Sequence, residues 1–185
     1  MIRYIADLHF DGEDIIAYDN RPFDSVEEMN ASLTENWNRV VGPEDLTWIL
    51  GDFCAGNAAR WREILCSLNG RKALIVGNHD PSDAVEGVRD CLEDIASYRE
   101  IEDDGRHVVL CHYPIMFYKN ARYGAVMLYG HVHNSKEWTI TEDWRNSLRE
   151  DGIPCNIINV GCMMPYMDYT PRTILEIMSS NLIEK

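Results

Sequence analysis

Short apolar runs that end in polar residues recur along this chain and predict its strands. Runs such as 73–76 and 126–129 suit strands that are covered on both faces. Two further segments flank an Asp-Asp-Gly turn at 103–105 and predict a hairpin. We therefore predict strands at residues 4–6, 46–50, 73–76, 98–101, 107–111, 126–129 and 157–160.

Apolar residues at helical spacing predict the helices between these strands. In the first helix, Met29, Leu33 and Trp37 fall on one face, and Ser25 followed three residues later by Glu28 forms a capping box. Glycines close the first two helices, because glycine favours the left-handed turn that ends a helix. The predicted helices run from a Ser25 cap to about Gly42, from an Asn57 cap to Gly70, from Pro81 to about Leu92, and from a Thr170 cap with Pro171 in the first turn to Ile177.

The order of these elements predicts an α/β domain with more than one sheet, because strands first alternate with helices and then follow one another more closely. A chain of 185 residues fits a single domain. The segment 10–24 is expected to be a polar loop with Gly12, Asn20 and Pro22 as turn formers. The segment 138–149 is charged and contains tryptophans, and it is left unassigned.

The acidic composition limits the choice of partners. The chain carries 31 Asp and Glu against 17 Lys and Arg, for a formal net charge of −14. Such a surface repels a phosphate backbone, so long nucleic acid is not an expected partner. The chain has six cysteines without a Cys-x-x-Cys pair, no secretory signal and no apolar run of about 20 residues. We therefore expect a cytoplasmic protein with reduced thiols and no membrane partner.

Polar clusters with metal-binding side chains follow five of the predicted strands. The chain has six histidines, and all except His107 fall in these clusters. His107 is expected to have a structural or surface role. The carboxyl ends of strands are where α/β folds place their sites, so the clusters are expected to meet. They lie at residues 7–9, 51–52, 77–80, 111–112 and 130–133.

The clusters together offer oxygen and nitrogen donors for divalent cations. In Asp7-x-His9 and His131-x-His133 the outer residues lie two apart, so on an extended segment they point to the same side. No suitably spaced thiolate accompanies them, and such a set suits Mn²⁺, Fe or Zn²⁺ in hydrolases with two metal ions. The candidate donors are Asp7, His9, Asp52, Asn78, His112, His131 and His133.

The order of these clusters resembles the calcineurin-like metallophosphoesterases. Segments 159–165 and 168–173 are also similar to a compact bacterial and phage-type subgroup of phosphoesterases, so the resemblance covers nearly the whole chain. It implies one metallophosphoesterase domain over residues 1–185, built as a four-layer α/β/β/α sandwich of two mixed sheets flanked by helices. It also implies a phosphatase or phosphodiesterase that hydrolyses small phosphomonoesters or phosphodiesters.

The resemblance implies a role for each donor. Two divalent ions are expected, Mn²⁺ first, with Fe, Zn²⁺ or Ni²⁺ as alternatives. Two ions about 3.5–4 Å apart can clamp both oxygens of an in-line displacement, and a hydroxide that bridges them would be the nucleophile. In this scheme the first ion is held by Asp7, His9 and His133, the second by Asn78, His112 and His131, and both by Asp52.

Two neighbouring residues in the third cluster would take part without binding metal. The resemblance makes His79 the general acid that protonates the leaving oxygen, with a contact behind the ligands as the alternative. Asp80 has two open interpretations. It orients or charge-stabilises the His79 imidazole, or it is a turn or capping residue before Pro81.

The first loop departs from the family pattern. Phe10 is followed by Asp11-Gly12-Glu13, where close relatives often carry Gly-His. If that histidine contacts phosphate in the relatives, this chain lacks the contact, and the resemblance then implies neither a particular substrate nor diester specificity. Asp11 or Glu13 beside the site would repel phosphate unless metal ions screen the charge. Lys119 and Arg122 are candidates for a substrate contact, with ordinary loop charges as the preferred interpretation.

Two alternatives to a small-molecule phosphoesterase fit the sequence less well. A catalytically silent interaction scaffold on the same fold would tend to lose ligands or the Asn-His step, and this chain keeps both. A nuclease of the double-strand-break repair type would need a longer chain and a basic groove. Bound metal in the purified protein distinguishes the enzyme from the scaffold. The sequence leaves the oligomeric state open.

Overall fold

The computed structural model describes residues 1–183, and the predicted strands are all present within it. Their ends lie within two residues of the predicted ones. An additional strand of two residues pairs with the third strand. The sequence did not predict it, because two residues are too few to show the alternation of apolar and polar residues that marks a strand. The strands are β1 (Ile2–Ile5), β2 (Leu46–Ile49), β3 (Arg71–Ile75), β4 (Ile95–Ala96), β5 (Tyr98–Asp103), β6 (Arg106–Cys111), β7 (Val126–Tyr129) and β8 (Ile157–Asn159).

The strands form two four-stranded sheets, with the orders β1-β2-β3-β4 and β5-β6-β7-β8. The first sheet is parallel throughout, and an isolated antiparallel bridge joins Tyr4 to Arg172. The second sheet is mixed, because β5 and β6 pair as an antiparallel hairpin and the other pairs are parallel. Ala6, just after β1, bridges to Gly161, just after β8, which ties the two sheets together. The predicted α/β fold with two sheets flanked by helices is confirmed.

Residues of β6 and β7 alternate between two apolar clusters, as the two-residue period of a strand requires. Val108 and Leu110 belong to the large core that includes the side chains of the first sheet. Val109 and Met127 belong to a smaller cluster that also contains Met116. Both faces of the second sheet are therefore covered, which explains why these strands read as continuous apolar runs.

The helices follow the predicted capping chemistry at two positions. The Ser25 hydroxyl accepts a hydrogen bond from the Glu28 amide, and the Asn57 side chain accepts one from the Arg60 amide. The Glu28 carboxylate reaches back to the Asp24 amide at 2.7 Å. The helices are α1 (Asp14–Asp19), α2 (Val26–Val40), α3 (Ala58–Ser67), α4 (Ser82–Gly87), α5 (Lys136–Glu150) and α6 (Ile174–Ile183).

The prediction of a polar loop over 10–24 is wrong, because this segment contains α1. Ile15 and Ile16 pack against the main core and give this short helix its apolar side. The helix ends at Asn20, whose φ of 54° is the left-handed conformation that asparagine tolerates. Six residues do not span two full helical turns, so the hydrophobic period could not reveal it.

Two other helix predictions need correction. The last helix begins at Ile174, not at Pro171, because Thr173 and Glu176 form the capping box: the Glu176 carboxylate accepts from the Thr173 amide at 2.8 Å. The helix predicted to run to Leu92 ends at Gly87 and continues as a 3₁₀ turn over Arg89–Cys91. The unassigned segment 138–149 lies within α5.

No helix in the part of the chain that the structure describes has the length and apolar character needed to cross a membrane. The six cysteines are free thiols.

Candidate metal centre

The candidate donors lie where strands of both sheets end, and the backbone turns sharply at most of them. Five donor residues have positive φ angles: 56° at Asp7, 49° at His9, 55° at Asp52, 70° at His131 and 50° at His133. The left-handed region costs free energy for residues other than glycine, and such strain concentrates at functional sites. The prediction that the paired donors converge along extended segments is therefore wrong. They converge through left-handed turns.

Two glycines let the loops approach closely enough for the donors to meet. A β-carbon at Gly130 would lie 2.6 Å from Asp7 Oδ2, closer than real β-carbon contacts allow. A β-carbon at Gly77 would collide in the same way with the carboxylate of Asp52. Glycine is needed at both positions because a second loop occupies the space that a side chain would fill.

Four of the donors surround one point. The ligand atoms of Asp7, His9, Asp52 and His133 all lie within 4.8 Å of one another. His9 Nε2 is 3.6 Å from Asp52 Oδ2, and His133 Nε2 is 3.9 Å from Asp7 Oδ1. These separations are too long for hydrogen bonds and suit donors that share a cation. The group matches the first metal site implied by the sequence, together with its bridging carboxylate.

The remaining donors lie on the other side of Asp52. His112 Nε2 is 2.9 Å from the side-chain oxygen of Asn78 and 3.5 Å from Asp52 Oδ2. The rings of His112 and His131 are 5.1 Å apart. The His131 amide donates to both oxygens of Asp7, at 3.0 and 3.1 Å. The structure thus brings all seven predicted donors together around Asp52.

Hydrogen bonds outside the cluster orient two of the histidines. His112 Nδ1 lies 2.8 Å from the Leu50 carbonyl oxygen, and His133 Nδ1 lies 2.8 Å from Asp19 Oδ1. An Nδ1 proton donated to these acceptors leaves Nε2 with the lone pair that a metal ion needs. In both cases Nε2 is the nitrogen that faces the donor cluster.

Burial and mutual charge shift the ionisation of the cluster. Burial raises the pKa of Asp7 to about 6 and lowers the pKa of His9 to about 3, so His9 is neutral near pH 7. Burial also opposes the charge of Asp52, but the His112 ring 3.5 Å away and its positive charge outweigh it and hold the pKa of Asp52 at about 2. Burial opposes the charge of His112 as well, but the nearby Asp52 and Asp7 carboxylates raise its pKa to about 9. A cation that binds at the centre would therefore take the place of a proton on this imidazole.

His79 and Asp80 have different surroundings. His79 is exposed, its ring centroid is 5.6 Å from that of His9, and its amide donates to Asp52 Oδ1 at 2.8 Å. Asp80 is buried, and its two oxygens accept from the amides of Asp52, Phe53 and Gly77 at 2.8–3.0 Å. Asp80 therefore connects the second cluster to the third by hydrogen bonds. The N-cap residue of α4 is Pro81, which provides no side-chain cap.

Two buried residues behind the centre, Asp19 and Arg21, were not among the predicted site residues. Asp19 accepts from Arg21 Nε at 2.9 Å and faces His133 with its other oxygen. Arg21 also donates to the backbone carbonyl oxygens of Asp7 and Leu8, both at 2.9 Å. The only sequence feature that could have indicated them is the Asp-x-Arg pair in the segment predicted to be a polar loop. The fold is needed to show that both charged side chains are buried.

The Asp19 carboxylate is expected to hold His133 in place for metal binding. Asp19→Asn leaves buried His133 and Arg21 with a weaker partner, and losing such a group typically costs metal affinity roughly 10- to 100-fold. Titration calorimetry with Mn²⁺ measures the effect. Exposed Asp143, on α5, supplies the control Asp143→Asn, which should bind as the wild type does. Unchanged affinity in Asp19→Asn would contradict this role.

A cavity of about 630 Å³ opens onto the centre. Its size fits a small molecule. Neither Lys119, which pairs with Glu100 at 2.7 Å, nor Arg122 lines it. The wall combines histidines with acidic and aromatic residues from the first loop, α1 and α5: His9, Asp11, Gly12, Glu13, Asp14, Ile15, Tyr18, Asp52, Ala55, Asn78, His79, His131, His133 and Glu137.

The chain is similar to proteins of archaeal, phage and bacterial origin. The chain is 37% identical over 134 residues to an uncharacterised protein of Methanocaldococcus jannaschii, covering 71% of this chain and 69% of that protein. It is 33% identical over 131 residues to the gene 66 protein of Mycobacterium phage D29, covering 55% of this chain and 64% of that protein. A solved structure of a protein of unknown function from Aquifex aeolicus matches 97% of this chain and 98% of its own, with a TM-score of 0.72 at 27% identity.

A family model covers almost the whole chain. The model for the calcineurin-like phosphoesterase superfamily domain matches residues 1–180. This match includes every strand, both sheets and all seven donor residues. The chain belongs to the calcineurin-like phosphoesterase superfamily.

Proposed function

We propose that this protein is a phosphoesterase that hydrolyses small phosphate esters with two divalent cations. Membership of the superfamily supports hydrolysis of a phosphoester. The donor cluster supports metal binding, and a cavity of small-molecule size opens directly onto it. A single domain over residues 1–185, a cytoplasmic location and Mn²⁺ as the preferred metal belong to the same proposal.

One observation carries the metal site. His9 Nε2 and Asp52 Oδ2 are buried and have no hydrogen-bond partner among the described residues. A buried polar atom without a partner costs free energy, typically about 1–3 kcal/mol, and an unpaired carboxylate costs more. Two such atoms that face each other at 3.6 Å are explained by a cation that binds both.

The donor chemistry supports two ions that share Asp52. The first would be held by oxygens and nitrogens that lie within 4.8 Å of one another. Histidine and carboxylate donors without thiolate suit Mn²⁺, with Fe, Zn²⁺ or Ni²⁺ as alternatives. We assign Asp7, His9 and His133 to the first ion, Asn78, His112 and His131 to the second, and Asp52 to both.

The residues of this chain would bind the ester and move one proton. The chemistry supplied by a bound pair of cations is Lewis acidity at the phosphoryl group and water of lowered pKa. His79 is exposed, lines the cavity and lies beside the donor cluster, so it can hold a proton for the leaving oxygen. Asp80 positions His79 indirectly, because it fixes the two loops that carry His79 and Asp52.

An assay with Mn²⁺-loaded protein tests this function. We expect hydrolysis of 4-nitrophenyl phosphate or of bis(4-nitrophenyl) phosphate, and loss of activity when the metal is removed by chelation. Metal analysis of the purified protein should find close to two ions per chain. The alternative, a silent scaffold on the same fold, predicts a protein without stoichiometric metal and without turnover of either ester, and that result would refute the proposal.

A further inference from the structure

The acidic wall of the cavity consists of Glu13, Asp14 and Glu137, whose charges no ion pair neutralises among the described residues. Asp11 is paired with Arg60, whose Nε and Nη2 donate to its two oxygens at 2.7 and 3.0 Å. No lysine or arginine lines the cavity. A ligand that reaches this wall therefore meets a negative potential, and added positive charge on the ligand would be favoured.

The other end of the cavity points to the opposite kind of ligand group. Asp52 lines the cavity, its side chain is only 1% exposed, and its Oδ2 has no hydrogen-bond partner among the described residues. That oxygen belongs to the donor cluster proposed to hold cations, and bound cations would attract a phosphate group. The cavity thus has an end for an anion and a wall for a cation.

An aromatic residue lies on the acidic wall. Tyr18 is 67% exposed, lines the same cavity and lies four residues after Asp14 on α1, on the same side of that helix. Its ring meets the His133 ring at 5.5 Å and 85°, which fixes it beside a candidate ligand. An aromatic face next to carboxylates is the combination that binds ammonium groups, through cation–π attraction and direct charge.

We propose that the preferred substrate is a zwitterionic phosphodiester, in which one esterified alcohol carries an ammonium group. The ammonium group binds against Tyr18, Glu13, Asp14 and Glu137, while the phosphodiester binds at the metal centre. Hydrolysis adds one water across a P–O bond: its oxygen goes to phosphorus, and the departing alcohol leaves with a proton. This inference rests on the proposed phosphoesterase function and adds the chemical class of the substrate.

Two esters of identical shape isolate the effect of the positive charge. In 4-nitrophenyl phosphorylcholine the alcohol carries a trimethylammonium group, and in 4-nitrophenyl 3,3-dimethylbutyl phosphate a carbon replaces the nitrogen. We expect kcat/KM to be roughly five- to tenfold higher for the choline ester. The ratio should fall as salt is added, because salt screens exposed charges.

Two matched triple variants test whether the preference for the choline ester comes from the acidic wall. Glu13→Gln, Asp14→Asn and Glu137→Gln together should bring the ratio of the two esters close to one. The control removes the same three charges at exposed positions away from the cavity, by Glu27→Gln, Glu35→Gln and Asp83→Asn, and should keep the ratio. Equal kcat/KM values for both esters in the wild-type protein, or a preference that survives in the wall variant, would overturn the inference.

A binding measurement separates this inference from the proposed function. Calorimetry on the Mn²⁺-loaded protein compares phosphocholine with 3,3-dimethylbutyl phosphate, which share a phosphate group and differ only in the cation. Tighter binding of phosphocholine by a similar factor supports the inference. If neither nitrophenyl diester is hydrolysed but 4-nitrophenyl phosphate is, the phosphoesterase function stands and the inference is overturned. If none of the three esters is hydrolysed, the phosphoesterase function fails and the inference fails with it. Equal or undetectable binding of the two compounds also overturns the inference.

Discussion

Asp52→Asn is expected to abolish metal binding and hydrolysis together while the protein stays folded. Asp52 Oδ1 accepts a hydrogen bond from the His79 amide, and an asparagine carbonyl can keep that bond. Oδ2, which lies 3.6 Å from His9 Nε2 and 3.5 Å from His112 Nε2, would become an uncharged NH₂ group with no lone pair for a cation. One substitution therefore removes the atom that both proposed metal sites share.

Thermal unfolding and activity measure this loss together. Mn²⁺ at one hundred times its dissociation constant should stabilise the wild type by about 2.7 kcal/mol for each ion bound, which raises Tm by roughly 5–11 °C per ion for a chain of this size. Asp52→Asn should show no such shift and should lose about 10³-fold or more in kcat. Asp143→Asn, the exposed control, should behave as the wild type. A normal Tm shift in Asp52→Asn would place the metal elsewhere.

The strand ends and their donors could be predicted because the information is local. Each donor follows an apolar run directly, so position along the chain also gives position in the fold, as Asn78 after β3 and His131 after β7 illustrate. Capping residues such as Asn57 are local in the same way. Their hydrogen bonds reach only three residues along the chain, and a sequence pattern can therefore contain them.

The residues behind the centre could not be predicted, because their partners are distant in sequence. Asp19 and His133 are 114 positions apart, and Arg21 reaches the carbonyl of Asp7 in another loop. Asp19 and Arg21 also lie at the end of α1, a helix too short for a hydrophobic period. Their charges suggested solvent, whereas the fold buries them because each one satisfies the other.

The unassigned segment 138–149 shows a different limit. Its helix, α5, buries only Thr141 and leaves Ile140 and Trp144 exposed, so no continuous apolar face marks it.

The role of Asp80 is a third feature that the sequence could not determine. The sequence left open whether it orients His79 or serves as a turn or capping residue before Pro81. In the fold its carboxylate accepts from three backbone amides in its own and the neighbouring loop.

His79→Ala is expected to keep its affinity for metal and to reduce kcat, most strongly for esters with poor leaving groups. The His79 backbone amide donates to Asp52, and alanine retains that amide, so Mn²⁺ affinity should stay within about twofold of the wild type. The imidazole is exposed in the cavity and lies close to His9, where it could deliver a proton to a leaving oxygen. General acid catalysis typically contributes about 10²–10⁴-fold.

The dependence on the leaving group separates proton donation from mere proximity. An alkyl alcohol leaves poorly without a proton, whereas 4-nitrophenol leaves readily as its anion. His79→Ala should therefore reduce kcat by about 10²-fold or more for an alkyl ester and far less for the matched nitrophenyl ester. His107→Ala, on the hairpin of β5 and β6, is the control and should change neither rate. Equal losses for the two esters would mean that His79 contributes binding or position, because only a proton donor matters more when the leaving group is more basic.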